Sequence, residues 1–148
     1  MRERIEGYKQ AMRGAGLQPL VFLTVNTLEA MQELALRWST AEDRPTAVFS
    51  LKRIASMYLI QALHLHKLRV PQDIAVVGFD DFELAEVLGT PLTVVRQSPT
   101  DMARAAAELL FKKIASVREN QLPEHRTAKM LFPVELIIRR SCGCQGRE

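Results

Sequence analysis

Three short apolar runs constrain the fold of this 148-residue chain more than any other feature. They cover residues 20–25 (LVFLTV), 46–50 (TAVFS) and 74–79 (IAVVGF). Each run is rich in branched side chains and lacks polar alternation, which is typical of strands buried on both faces of a parallel sheet. Helical periodicity fills the segments between the runs. Because strand and helix alternate, the pattern predicts an α/β fold: an open, mostly parallel sheet with helices on both faces.

Apolar spacing and terminal residues place the helices. The predicted helices cover residues 2–15, 26–38, 54–68 and 98–118. Asn26 and Glu29 have capping-box spacing at the start of the second helix. Ser98 as N-cap, Pro99 at the first helical position and Asp101 in the first turn predict where the last one begins.

The pattern changes after the third apolar run. We expect a short helical piece at 82–88, a strand at 93–96 and, beyond the last helix, a polar linker that contains Pro123. A final strand is predicted at 130–138, and because Pro133 lies within it, this strand should be at an edge or enter through a bulge.

Charge and composition exclude several classes of protein. The net charge is +3, but the 20 lysines and arginines are scattered along the chain, so charge alone does not predict nucleic-acid binding. No run approaches the roughly 20 apolar residues of a membrane helix, and the first residues do not resemble a signal peptide, so the chain is expected to be soluble and cytoplasmic with no membrane partner.

Cysteine and histidine positions give no indication of a metal or cofactor. Cys142 and Cys144 are too close in sequence to staple a fold or to complete a zinc site, so we expect reduced thiols on a frayed tail. His64 and His66 are two residues apart on a predicted helix and point to different faces. No cofactor and no metal is predicted.

Three stretches, in order, resemble the LacI/GalR family of transcriptional regulators. They are residues 4–8 (RIEGY), 70–81 (VPQDIAVVGFDD) and 91–97 (PLTVVRQ). The run V-P-x-D, an apolar strand and G-F-D-D, followed by P-L-T-x-V-x-Q, is a specific signature of the C-terminal subdomain in that family. Residues 134–141 are similar to the family's last strand, so the resemblance spans nearly the whole chain but only half of the family's architecture.

The resemblance implies an architecture. Family members carry a helix-turn-helix head, a hinge helix and a core of two periplasmic-binding-protein-like subdomains that close on a small effector. Residues 1–97 would be the C-terminal subdomain of that core. Residues 98–122 would be the crossover helix that packs on an N-terminal subdomain absent here, and residues 123–148 the final strand and tail.

The resemblance also implies partners for a regulator of transcription. These are a sugar or sugar phosphate as effector, a second copy in a homodimer, and DNA only through a head domain not present in this chain. Family dimers use the surface near residues 82–88, which is a candidate two-fold interface.

Three candidate ligand-binding residues match family positions. Asp80 follows the third apolar run, and the carboxyl ends of strands face the ligand crevice in open α/β sheets. The matching residue of the family hydrogen-bonds the effector. Arg4 matches an arginine that offers its fork of donors to the ligand. Gln97 could be a hinge or cleft residue. Each residue also has an alternative role without a ligand. Asp80 could be an acidic turn residue, Arg4 a helix-surface arginine and Gln97 a polar residue before a helix cap.

Lys52 and Arg53 depart from the family pattern. The family usually has Asn-Asp at this strand end, so two cations replace an amide and a carboxylate. Either the effector is anionic, such as a phosphorylated sugar or a carboxylate, or the site no longer binds a small molecule. The alternative is a solvated basic helix start, which costs little when exposed.

Two other functions compete with effector sensing. An interaction or dimerisation module that has lost ligand binding would also fit Lys52 and Arg53. A metal-dependent phosphoryl enzyme would use Asp80 and Asp81. The sequence offers no convergent third acid and no glycine-rich phosphate loop, so a non-enzyme is expected.

Overall fold

The computed structural model of the chain describes residues 1–86, 89–118 and 129–144. Its elements, in order, are α1 (Arg2–Gly14), α2 (Leu28–Thr40), β1 (Ala47–Ser50), α3 (Arg53–Leu65), β2 (Ala75–Phe79), a 3-10 turn (Glu83–Ala85), β3 (Thr93–Arg96), α4 (Pro99–Arg118) and β4 (Glu135–Ile137). The predictions for Leu88 and for the linker with Pro123 fall outside the described residues.

The sheet has four strands in the order β1-β2-β3-β4. β2 runs parallel to β1, with Ser50 opposite Gly78, and parallel to β3, with Gly78 opposite Val94. Sheet and helices together confirm the predicted α/β class with a mostly parallel, open sheet. β4 covers only Glu135–Ile137 of the predicted residues 130–138, so Pro133 lies outside the strand. Proline has no N–H to donate to a neighbouring strand.

The prediction of a strand at 20–25 is wrong. This segment has no regular structure, and Leu20 and Leu23 are 60% and 65% exposed. A strand needs a neighbour to accept and donate its backbone hydrogen bonds, and no described strand lies beside this one. Phe22 packs edge-on against Trp38 instead, with ring centroids 5.9 Å apart.

The core lies between the sheet and the helices α2 and α3. Its buried apolar side chains include Leu34, Trp38, Leu59, Leu63, Ile74, Val76 and Val94. Gly78 makes the close approach of α3 possible, since a Cβ at this position would lie 3.0 Å from Ser56 Oγ and 3.2 Å from a Leu92 methyl. These contacts set β2 close beneath α3.

Helix termini differ in detail from the sequence predictions. The N-cap of α2 is Thr27, whose hydroxyl accepts the Ala30 N–H, so the prediction that Asn26 caps this helix is wrong. The α4 start is as predicted, because Ser98 Oγ accepts the Asp101 N–H.

α3 ends three residues earlier than predicted, at Leu65. Lys67 takes a left-handed conformation with φ of 58°, and the Leu68 N–H turns back to the Leu63 carbonyl at 2.9 Å. This is the hydrogen-bond pattern that commonly ends a helix, although glycine usually occupies the left-handed position. Leu68 is thereby buried in the core.

Two compact units make up the chain. The first comprises residues 1–95 and 136–148, and the second comprises residues 96–135. None of the twenty residues of α4, all within the described chain, is buried. In the ranges that the structure describes, no helix is long and apolar enough to cross a membrane.

Candidate functional site

Arg4 links three elements at the carboxyl edge of the sheet. It lies in the first turn of α1, and its Nη1 donates to the Leu51 carbonyl, just beyond β1, at 2.7 Å. The guanidinium carbon lies 3.5 Å from the centroid of the Phe79 ring at the end of β2. The same Nη1 is 3.9 Å from Asp80 Oδ2. We call Arg4, Leu51, Phe79 and Asp80 the Arg4 cluster.

Strand register explains why these residues meet. Ser50 and Gly78 are partners in the parallel ladder, so the residues that follow each of them emerge side by side. Phe49 and Phe79 lie with ring centroids 6.5 Å apart and form an apolar base for the cluster. Arg4 completes it because its long side chain reaches from the helix to both strand ends.

The backbone at Asp80 is left-handed. Its φ is 71°, a conformation that aspartate tolerates better than most residues, and its N–H donates to the Val95 carbonyl at 2.9 Å. The chain therefore turns sharply where β2 ends. The side chains of Asp80 and Arg4 are 37% and 26% exposed, so solvent and small molecules can reach both.

Lys52 and Arg53 are exposed at the N-terminus of α3. Lys52 is the N-cap residue, with extended φ and ψ, but its side chain makes no capping hydrogen bond in the part of the chain that the structure describes. Its carbonyl accepts from the Ser50 and Ser56 hydroxyls and from the Ser56 N–H. Because Arg4 binds the carbonyl immediately before Lys52, these cations belong to the same strand end as the Arg4 cluster.

Gln97 belongs to the second unit. There it lines an open cleft of about 420 Å³ with residues 96–99 and 133–135. Arg96 Nη2 bonds Glu135 Oε2 at 2.7 Å beside it. Arg4, Lys52, Arg53 and Asp80 are all in the first unit, so the two groups of predicted residues belong to different compact units.

Sequence reasoning missed Arg139, which holds the residue after Asp80. Both terminal nitrogens of Arg139 donate to the Asp81 carboxylate, at 3.0 and 2.9 Å, and they also reach the Leu92 carbonyl and Glu86. The Arg139 side chain is only 10% exposed. Its hydrogen bond with Asp81 raises the pKa of the guanidinium despite the opposing effect of burial. The sequence did offer one signal for this residue, because Arg139 directly follows the apolar residues 136–138.

The paired acids Asp80 and Asp81 have different partners. Asp81 accepts the Phe82 N–H and is held by Arg139, whereas Asp80 lies near Arg4. A magnesium site or phosphoacceptor needs carboxylates that converge on one ion. Each carboxylate here already has an arginine beside it, and within the described ranges no three acids, histidines or cysteines cluster as metal ligands. This geometry does not favour the phosphoryl-enzyme interpretation.

Comparison with known proteins identifies the family to which this fold belongs. The periplasmic binding protein-like domain family matches residues 1–142. The chain is 33% identical over 95% of its length to the HTH-type transcriptional repressor PurR of Photobacterium profundum. It is 37% identical over 76% of its length to the ribose operon repressor of Escherichia coli K12. The chain belongs to the periplasmic-binding-protein-like family and, within it, to the LacI-type transcriptional regulators.

A solved structure adds the match in three dimensions. The transcriptional regulator CelR in complex with cellobiose superposes with a TM-score of 0.75 at 30% identity, over 94% of this chain and 42% of that one. The chain spans 41% of the length of the PurR relative and 35% of the ribose operon repressor. It therefore corresponds to less than half of each of these three proteins.

Proposed function

We propose that this chain is the effector-sensing part of a LacI-type transcriptional regulator and binds an anionic sugar derivative, such as a sugar phosphate, at the Arg4 cluster. The observation that carries the proposal is the position of Arg4, which stacks on Phe79 and lies beside Asp80 at the strand ends. In open α/β sheets this edge is where ligands bind.

The charges support an anion. Arg4, Lys52 and Arg53 supply three cations near two strand ends, while Asp80 is the single carboxylate of the cluster. A guanidinium offers five donors in a fixed fork that suits phosphate, and stacking on an aromatic ring restricts its motion before a ligand arrives. Asp80 would accept hydrogen bonds from sugar hydroxyls, so the arrangement combines a phosphate-binding and a hydroxyl-binding group.

The relatives support a small-molecule effector. CelR was solved with cellobiose, and one curated relative is a ribose operon repressor. We infer that this chain also binds a small-molecule effector. We infer a charged effector because Lys52 and Arg53 follow the end of strand β1. DNA would be bound through a head domain of the kind that the family carries, and a second copy would be the protein partner.

Calorimetry on the intact chain tests the effector class. We expect glucose 6-phosphate or ribose 5-phosphate to bind at least about tenfold more tightly than the neutral parent sugar, a difference of ~1.4 kcal/mol. Arg4→Ala should abolish this preference. Arg13→Ala is the matched control because Arg13 lies exposed in the last turn of the same helix. Equal binding of neutral and phosphorylated sugars would contradict the anionic effector.

A dimerisation module is the second candidate function. Large apolar side chains are exposed along α4, among them Leu110 at 57% and Phe111 at 68%. Contiguous apolar surface of this kind marks an interaction site. If calorimetry detects neither class of sugar while the chain self-associates, this function replaces effector sensing.

A further inference from the structure

The segment that follows β4 is anchored to the sheet. Ser141 is fully buried, and its hydroxyl donates to the Val76 carbonyl at 2.6 Å while it accepts the Thr93 N–H at 2.8 Å. The Val76 N–H in turn donates to the Ser141 carbonyl at 2.8 Å. Cys142 follows directly, so the sequence prediction that this cysteine lies on a frayed tail is wrong.

A tight turn brings the second cysteine back to the first. Gly143 has a φ of 75°, in the left-handed region that favours glycine, and its N–H donates to the Arg140 carbonyl. The Cys144 N–H then donates to Cys142 Sγ at 3.4 Å. Cys142 is half-buried and Cys144 is exposed, so a reagent can approach the pair from the Cys144 side.

The two thiols have unequal environments. Burial raises the pKa of the Cys142 thiol, but hydrogen bonds from Thr93 and from the backbone and side chain of Cys144 outweigh it, and the net direction is downward. The hydrogen bond with Cys142 raises the pKa of Cys144. A cysteine with more thiolate character attacks disulfides faster, and its more protonated neighbour resolves the product.

We propose that Cys142 and Cys144 form a thiol–disulfide exchange site, in which Cys142 attacks a small-molecule disulfide and Cys144 resolves the adduct. The Cys142 thiolate bonds to one sulfur of the disulfide, whose S–S bond breaks and releases one thiolate that takes up a proton. Cys144 then loses its proton and attacks the Cys142 sulfur, which expels the second thiol. The two cysteines are oxidised to one disulfide while the reagent is reduced to two thiols.

Glutathione disulfide is the probe, and mass spectrometry of the intact chain is the readout. The wild-type chain should lose the mass of two hydrogens and retain no glutathione. Cys144→Ser should stop as a glutathione adduct on Cys142, because no resolving thiol remains. Cys142→Ser should form its adduct on Cys144 more slowly than Cys144→Ser forms its adduct on Cys142, because hydrogen bonds from Thr93 and from the Cys144 backbone lower the pKa of the Cys142 thiol.

Gly143→Ala is a variant that retains both cysteines. A side chain at a φ of 75° is strained, so the turn that returns Cys144 should open and the glutathione adduct should persist longer than in the wild type. Tryptophan fluorescence of Trp38 verifies that each variant is folded. The proposal is overturned if the folded wild type does not react, if it keeps glutathione on both cysteines, or if the two serine variants react at equal rates.

Discussion

Single residues at the strand ends are held by arginines in two different ways. Arg4 is partly exposed and stacks on Phe79, which suits a side chain that exchanges partners with a ligand. Arg139 is almost buried and donates two hydrogen bonds to the Asp81 carboxylate, which suits a structural role. Adjacent aspartates in the sequence therefore have distinct environments, and the distinction predicts different consequences of substitution.

Arg139→Leu should lower the free energy of unfolding by about 2 kcal/mol or more. The substitution would leave the Asp81 carboxylate, 18% exposed, without its cation, and breaking a buried pair from one side is costly. Urea denaturation measures the change. Arg140→Leu is the control, since Arg140 is exposed one residue away, and an equal loss in both variants would contradict the structural role of Arg139.

Asp73 should make stability depend on pH in the acidic range. Hydrogen bonds from the Arg69 side chain and N–H, with Arg44 nearby, hold the pKa of its carboxyl well below the usual range. A depressed folded-state pKa stabilises the native state above the unfolded pKa of about 4, and this stabilisation is lost as pH falls through the folded value.

Urea denaturation at near-neutral and strongly acidic pH tests this. Asp73→Asn should reduce stability at neutral pH and flatten its decline towards acid. Asp43→Asn is the control, because Asp43 is exposed in the loop between α2 and β1. This variant should keep the wild-type dependence of stability on pH. A wild-type slope in the Asp73 variant would show that its interactions do not persist in solution.

At the scale of elements, helix α3 begins with an unfavourable residue. Lys52 provides the extended N-cap conformation, but its cation opposes the helix dipole, and a lysine side chain has no oxygen to accept an N–H. A sequence optimised for stability alone would place aspartate or serine at this position. The lysine is consistent with the proposed selection for an anionic effector at the expense of the helix.

Lys52→Asp should therefore raise the free energy of unfolding by about 1 kcal/mol, because the new carboxylate caps the helix. The same variant should weaken sugar phosphate binding. Denaturation and calorimetry measure the two effects, and Lys52→Gln separates the charge from the cap because it removes the cation without adding a strong cap. Unchanged phosphate affinity in both variants would exclude Lys52 from the site.

At the scale of the whole molecule, α4 has no buried face of its own. Its exposed apolar side chains include Met102, Leu110, Phe111, Ile114 and Val117. Burial of apolar surface is favourable by ~25 cal/mol per Å². This helix is therefore expected to pack against another protein surface. We expect a second copy of the chain, in line with the homodimer that family resemblance implies.

Light scattering should therefore return a mass above the 16.7 kDa of one chain at micromolar concentration. Leu110→Glu would shift the population towards monomer if α4 forms the interface. Phe82→Glu would do so if the interface lies near residues 82–88. A monomer at all concentrations would contradict self-association.

Contiguous stretches of the sequence predict the class of the sheet and most of its elements. Local information was sufficient for α4, where Ser98, Pro99 and Asp101 mark the start, and for β3, whose bounds match the prediction. Local information was also sufficient to recognise the family, because the GFDD turn and the motifs on either side of it are each a continuous stretch of the chain. It also pointed to the strand-end location of Asp80.

Features that depend on a partner distant in the sequence emerge only from the tertiary structure. Residues 20–25 are as apolar as the true strands, but a strand forms through backbone bonds to a neighbour, and no local pattern reports whether one is present. Arg139 meets Asp81 across 58 positions of sequence, and Ser141 meets Val76 across 65. Such pairs form because the sheet brings chain segments together, so their strength and their chemistry became visible only once the strands were in register.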